Sequence, residues 1–382
     1  MTGLVLLDLQ KAFDTVNHKI LLDKLSAIGV SDSSVSWFYS YLSSRGQFVN
    51  VNGINSTVNS ISCGVPQGSI LGPLLFLIYV NDMKSAIGNN CELYLYADDS
   101  ALAVTDKNIT HIEQTLSYNM DKLSIWLTEN KLSLHLGKTE SILFGSRHNL
   151  SKNEKLEVSC NNSILGNSNC VKYLGASIDE TLSGKNMYSL VMKKINNTLK
   201  FLYRKKSFLD ADVRKMLAVA LVQPRFDYAC NFWFRPIGKV NQNKLQICQN
   251  KTIRFVLGLG NRTHIEYSHF KKLNWLDVSS RVEYLTLNHM YNISTGKCPS
   301  YLKTIVSKKS HNHNTRSGNN AFEVKNVKGA GKTSFNYNGT IMWNSLPTNL
   351  QNIDNKSSFK SKCKKYLLNR MANVQSDVFL YY

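Results

Sequence analysis

The stretch "CELYLYADDSAL", Cys91 to Leu102, narrows the possible folds more than any other part of the sequence. Leu93, Leu95 and Ala97 recur at period two, with Tyr94, Tyr96 and Asp98 on the alternate positions. That alternation describes a strand with two unlike faces. Asp98 and Asp99 then predict a tight turn, with Ser100 to Val104 returning alongside. Acidic residues are common in turns, so a plain hairpin tip and a pair of working carboxylates both remain open here.

A second acidic residue bears on the choice. Gly3 to Leu9 is apolar apart from Asp8, which predicts a strand buried on both faces and closed by a carboxylate. An ionised carboxylate beside an apolar strand is costly unless something pairs with it. Asp8, Asp98 and Asp99 are therefore candidates for one cluster at the ends of strands in a shared sheet. Such a cluster would repel itself unless a divalent cation neutralised it, and oxygen-only ligands suit Mg²⁺ together with substrate phosphates. A pair of such ions stabilises the attacking and leaving oxygens of a phosphoryl transfer.

Charge points the same way. Lys and Arg number 46 against 26 Asp and Glu, a formal net charge of +20 over 382 residues. So large an excess implies a polyanionic partner, nucleic acid before an acidic membrane. The apolar runs Gly3–Leu7 and Ile70–Val80 are too short to span a bilayer, and the second holds Gly72 and Pro73. Eight cysteines without a CxxC pair indicate neither a zinc site nor a disulfide framework, and a reduced intracellular compartment is expected. Cys298 with His311 and His313 lacks the partner cysteine of a zinc knuckle.

Asn17 is placed to cap a helix reaching Ile28, and a second helix fits Ser33 to Ser44. "QFVNVNG" ends in the hairpin pair Asn52-Gly53. "GVPQGSILGP" is a punctuated loop leading into an apolar helix from Leu74 to Tyr79. A helix from about Ile112 to Asn130, the strand "ESILFG" and the strand pair "VKYLGASID" complete the first half. From about Lys185 the chain reads as long basic helices. One of them, Asn243 to Leu257, carries Lys244, Lys251 and Arg254, expected on one face.

"LLDLQKAFDTVNH", "GVPQGSILGPLLFLIYVNDM", "YADD" and "NKLSLHLGKTESILFG" follow one another in the order and spacing of reverse transcriptase motifs. They resemble the polymerases of non-LTR (LINE-type) retrotransposons, of the Jockey-like and chicken-repeat-like group. The resemblance continues more weakly through "KYLGASID", at the primer-grip position, "LQICQNKTIRFVLG" in the thumb, and the tail elements "LNWLDVSSRVEYLTLNHMY" and "SFKSKCKKYLL".

It implies an α+β fold: a right-hand polymerase palm, an antiparallel sheet with helices on one face, then a helical thumb and a mainly helical C-terminal region. Residues 1–184 would form the palm with partial fingers at 18–62, residues 185–260 the thumb, and residues 261–382 a region of unassigned role. The activity implied is RNA-directed DNA synthesis with two Mg²⁺ ions, or Mn²⁺ in their place. The partners implied are an RNA template, a DNA primer or target site and deoxynucleoside triphosphates. Target-primed synthesis would place the chain in the nucleus, and assembly with RNA in the cytoplasm.

Position by position, the resemblance makes Asp8 and Asp98 the principal metal ligands and Asp99 the third acid, with the Leu9 carbonyl completing one shell. Asp99 ranks third because adjacent strand residues point opposite ways, so the turn would have to rotate it inward. Lys11 and Ala12 would offer backbone N–H groups to the triphosphate, and Phe13 would lie beneath the sugar, against a 2′-hydroxyl. In Gly64-Val-Pro-Gln-Gly68, the glycines Gly64 and Gly68 would let backbone approach the template base pair, Gln67 would hydrogen-bond there, and Tyr96 would meet the growing end. Lys138 matches the general acid for the pyrophosphate leaving group, and Lys244, Lys251 and Arg254 would contact duplex phosphates.

Asp14 matches a family position but reads as a structural cap, and His135 stands where the family usually has Asn. The endonuclease and upstream fingers motifs of the family are not in this sequence, which therefore looks like a shortened copy. Two classes of function stay open: a polymerase, or a non-catalytic remnant that binds RNA or DNA. A group II intron-like maturase shares the palm but not the tail.

Overall fold

A computed structural model describes residues 1–152, 155–308 and 321–378; His311 and His313 lie outside them. The chain divides into two compact units, Met1–Thr181 and Leu182–Tyr382.

Strand β1 (Thr2–Leu7) runs down the middle of the first unit. Four short strands follow: β2 (Arg45–Gln47) pairs with β5 (Asn59–Ile61), and β3 (Asn50–Val51) with β4 (Ile54–Asn55) around the expected Asn52-Gly53 turn. The hairpin β6 (Glu92–Tyr96) and β7 (Asp99–Thr105) lies on one side of β1, and β8 (Glu140–Phe144) on the other. The small pair β9 (Ser159–Cys160) and β10 (Ser163–Ile164) is separate. β11 (Gly166–Asn167) closes the main sheet in the order β11-β8-β1-β7-β6. All its pairings are antiparallel except β11 with β8. The hairpin β12 (Cys170–Tyr173) and β13 (Ala176–Asp179) turns through Leu174 and Gly175, both at positive φ, the usual geometry of a two-residue hairpin.

Helices cover one face of this sheet. α1 (His18–Ala27) is capped as expected, the Asn17 side chain accepting from the Ile20 N–H, and α2 (Asp32–Leu42) follows it. α3 (Leu71–Val80) starts earlier than expected and takes Gly72 and Pro73 into its first turn, where the missing proline N–H costs no helical bond. α4 (Ile109–Glu129) buries Ile112, Leu116, Met120, Leu123 and Leu127 at helical spacing. It presses so close to β1 that a β-carbon on Gly3 would stand 2.4 Å from the Ile112 side chain. Only glycine fits there.

β1 is not buried on both faces. Gly3, Val5 and Leu7 are buried under the helices, whereas Thr2, Leu4 and Leu6 are half-buried on the other face. Antiparallel sheets commonly leave one face open, and the apolar run of β1 conceals that asymmetry.

The second unit is helical, and its basic helices use their apolar stripes locally. Lys185–Arg204 buries Met187, Val191, Ile195, Leu199 and Leu202 while Lys193, Lys194, Lys200 and Arg204 stay exposed. Among the described residues, those beyond 261 share the core of the rest of this unit: Trp343, Phe359 and Leu367 pack in one cluster with Ile195, Trp233 and Phe255, so residues 185–260 and the described residues beyond 261 fold as one body. The separate 261–382 region expected from sequence is corrected accordingly, and the boundary falls at Thr181.

Candidate active site

The open face of the sheet is where the chemistry-bearing residues meet. β1 pairs with β7 up to Leu7 opposite Ser100, so Asp8 comes next to Asp99 one step further on. On the other side Leu6 pairs with Glu140, which brings Lys138 opposite Asp8. Asp99 is itself paired with Tyr96 in the β6–β7 hairpin. Cross-strand partners share a face, so Lys138, Asp8, Asp99 and Tyr96 form one row across four strands. The contacts agree with the register: Lys138 Nζ lies 3.8 Å from Asp8 Oδ2. Asp8, Asp99, Lys138, Glu140, Lys172 and Tyr173 line one cavity of about 110 Å³.

Asp8 is pinned by its backbone. Its carbonyl accepts from the His135 N–H at 2.7 Å, and its own N–H donates to Thr139 Oγ1 at 3.5 Å. Leu9, buried beside it, bridges to Leu134. The "LHLGKTE" loop is thus fastened to the end of β1 through main-chain bonds, which any residue at 135 could supply. The histidine in place of the family's asparagine leaves this geometry intact.

The two tip acids differ in a way opposite to expectation. Asp98 lies in the two-residue turn with Ala97, and Ala97 holds a φ of +53°, a left-handed conformation that costs roughly 1–2 kcal/mol with a β-carbon. Asp99 begins β7 on the same face as Asp8 and needs no rotation to reach the cavity. The expectation that the turn would have to rotate Asp99 inward is therefore corrected, because hairpin register sets the face. Burial, then the negative charges of Asp98 and of Asp8, push the Asp99 carboxyl above its ordinary pKa. Asp99 feels both other acids, yet among the described residues no three His, Cys, Asp or Glu side chains are gathered closely enough to hold a metal ion. The donor set fits a divalent cation in kind, as hard oxygens whose mutual repulsion a cation would relieve.

Lys172 and Tyr173 were not singled out from sequence. Both come from β12, and burial followed by the charge of Asp99 raises the Tyr173 phenol. Their distance from Asp99 in sequence hid them. Glu140 was not singled out either, although it follows Lys138 by two residues and so shares its face.

The turn after β1 is held from within. Lys11 has a φ of +46° and its carbonyl accepts from the Asp14 and Thr15 N–H groups; Ala12 is buried. Phe13 is half-buried with its ring stacked on Phe76 at 4.5 Å, so it has a packing role whatever else it does. The expectation that both loop glycines serve a base pair is corrected for Gly64. A β-carbon there would meet the Asp14 carbonyl oxygen at 2.8 Å, and Gly64 N–H donates to Val16 while Val65 N–H donates to Phe13. His18 Nε2 also bonds the Gly64 carbonyl at 2.8 Å. Gly68 faces open space. Gln67 Nε2 donates to Asp14 Oδ1 at 2.8 Å, a latch between the two motifs that the capping role assigned to Asp14 did not foresee.

In the second unit, Lys244 and Lys251 are exposed on Gly238–Leu257. Arg254 does not stand with them: it is half-buried and its Nε donates to the Thr263 carbonyl at 2.7 Å. It ties the helix to the following loop.

An antiparallel sheet with helices on one face and a row of carboxylates and lysine on the other is the arrangement expected of a polymerase palm. Residues 1–178 match the model of the family described as reverse transcriptase (RNA-dependent DNA polymerase). The chain's relatives are of the non-LTR, LINE-type branch that the motifs indicate. The chain is 27% identical over 265 residues to the RNA-directed DNA polymerase from mobile element jockey of Drosophila funebris, covering 67% of this chain and 28% of that protein. It is likewise 27% identical over 261 residues to the probable RNA-directed DNA polymerase from transposon BS of Drosophila melanogaster, covering 66% and 28%. The match thus spans little more than a quarter of the length of these relatives. A telomerase structure from Candida tropicalis aligns loosely, with a TM-score of 0.34 and 14% identity over 75% of this chain and 45% of that one.

Proposed function

We propose that this chain performs RNA-templated DNA synthesis for a non-LTR retrotransposon. The observation that carries the reading is the row Lys138–Asp8–Asp99–Tyr96 on the open face of the palm sheet. In this reaction the primer 3′-oxygen attacks the α-phosphorus of a deoxynucleoside triphosphate, the bond to the β-phosphate oxygen breaks and pyrophosphate leaves. Members of the family use divalent metal ions. When bound, a pair of Mg²⁺ ions, or Mn²⁺, supplies charge neutralisation at the attacking and leaving oxygens.

The chain's own residues do the rest. Asp8, Asp99 and Asp98, with the Leu9 carbonyl, would hold the cations. Lys138 Nζ, 3.8 Å from Asp8 Oδ2, would give a proton to the departing pyrophosphate oxygen. Lys11 and Ala12 would receive the triphosphate, and Phe13, braced by Phe76, would close the space below the sugar. Gln67, oriented by Asp14, and Gly68 would border the base pair, with Tyr96 next to the primer end. Exposed Lys244 and Lys251 would contact backbone phosphates. Target-primed synthesis would take place in the nucleus and assembly with RNA in the cytoplasm.

Primer extension with Mg²⁺ on an RNA template tests this, with Asp8→Ala as the blank. Extension that disappears in the blank is expected. Nucleic-acid binding without extension above the blank would favour the non-catalytic remnant.

A further inference from the structure

The tail element "SFKSKCKKYLL" belongs to the helix Lys356–Val378. Phe359, Cys363, Leu367 and Met371 are buried at four-residue steps and anchor this helix in the core of the second unit. Lys356, Lys360 and Lys364 recur at the same step and so run as a parallel row along one flank, successive lysines about 6 Å apart along the axis. Lys356 and Lys360 are exposed, and Lys364 is half-buried.

A basic row on a helix is ordinarily a solvated face whose side chains spread apart. In this row, burial, then Arg281, then Lys215 hold the Lys364 ammonium below its ordinary pKa. Arg281 is answered by Asp227, its Nε 3.0 Å from Oδ1 and a terminal nitrogen 2.7 Å from Oδ2. That pairing leaves the carboxylate engaged with the arginine and not with the lysines. At the other end of the row, burial and then Lys356 depress the His289 pKa. Positive charge gathered on a folded surface raises its own energy, and a polyanion laid along it lowers that energy.

We propose that the Lys356–Lys360–Lys364 flank is a nucleic-acid contact that takes the phosphodiester backbone without reading bases. It lies outside the palm and outside the Lys244–Lys251 helix, and it gives the C-terminal segment a role in holding template or target. Phosphates are common to RNA and DNA, so one chemistry serves either strand type.

The full chain is titrated with labelled single-stranded RNA, with duplex DNA of equal length and with phosphatidylserine vesicles, across a range of salt. Lys360→Glu with Lys364→Glu should weaken nucleic-acid binding about tenfold or more. The milder Lys360→Gln with Lys364→Gln should lower the salt slope of log K by roughly 1.4–1.8. The charge-matched control, Lys107→Glu with Lys122→Glu on exposed positions of the first unit, should change binding far less. Circular dichroism checks folding, and the Gln pair decides should the Glu pair unfold. Asp8→Ala should bind as the parent does, so failure here and failure of the polymerase reading are distinguishable. Equal weakening by stripe and control variants, or an effect confined to vesicles, would overturn the proposal.

Discussion

Lys138 Nζ and Asp8 Oδ2 stand 3.8 Å apart on the open face of the five-stranded sheet. The lysine ammonium is therefore within reach of whatever the carboxylate holds, which is where a proton donor to the leaving group has to be. The pair is exposed, so its worth to stability is small. Its value lies in position.

The first prediction concerns that donor. Lys138→Ala should slow single-turnover incorporation on the order of 10²-fold, with nucleotide affinity changed far less. Lys138→Arg keeps the charge but holds its proton too tightly to give it up, so it should restore affinity without restoring rate. Full rescue by arginine would mean that the charge alone matters.

Magnesium should act on stability through Asp99. Because the folded pKa of Asp99 lies above its unfolded value, its contribution is fully present below the unfolded pKa and is lost as pH rises through the folded one. At neutral pH the metal-free chain thus carries an unrelieved repulsion. Asp99→Asn should raise its melting temperature and remove most of the increase that Mg²⁺ gives the parent. A thermal-unfolding series with and without Mg²⁺ reads both effects, and an undiminished Mg²⁺ shift in the variant would count against cation binding at this acid.

Gly64 and Gly68 should respond differently to a methyl group. Gly64→Ala combines a φ of +89° with a clash on Asp14 and should cost roughly 1–3 kcal/mol of unfolding free energy. Gly68→Ala meets nothing nearby and should cost only the left-handed conformation, on the order of 1 kcal/mol. Urea unfolding of the two variants settles the order.

These residues also show what the sequence could and could not reveal. Asp8, the YADD hairpin and Lys138 were legible because alternation, turn chemistry and motif order are local signals. Which tip acid faces Asp8 was not, since that depends on Leu7 pairing with Ser100 and Tyr96 with Asp99. A shift of one residue would exchange the faces. Lys172 and Tyr173 reach the cavity from a hairpin far along the chain. The packing of Gly64 on Asp14, like the core shared by Trp233 and Trp343, is a tertiary fact with no local trace.

Arg254 should separate from its neighbours on the Gly238–Leu257 helix. Lys244→Glu with Lys251→Glu should weaken nucleic-acid binding and its salt dependence. Arg254→Ala removes the bond to the Thr263 carbonyl and should lower stability by about 1–3 kcal/mol while leaving the salt slope nearly unchanged. Anisotropy titrations paired with urea melts distinguish the two roles.

The central claim is that Asp8 and Asp99 act as one unit on the open face of the sheet. Single-turnover incorporation on an RNA template with Mg²⁺ should be measured for the parent, Asp8→Asn, Asp99→Asn and the double variant. Residues that work as a unit are strongly non-additive, so each single change should remove nearly all of the rate and the double should be scarcely slower than Asp8→Asn. An Asp99→Asn chain that incorporates at the parent rate, or a double variant whose loss is the product of two independent losses, would contradict the account.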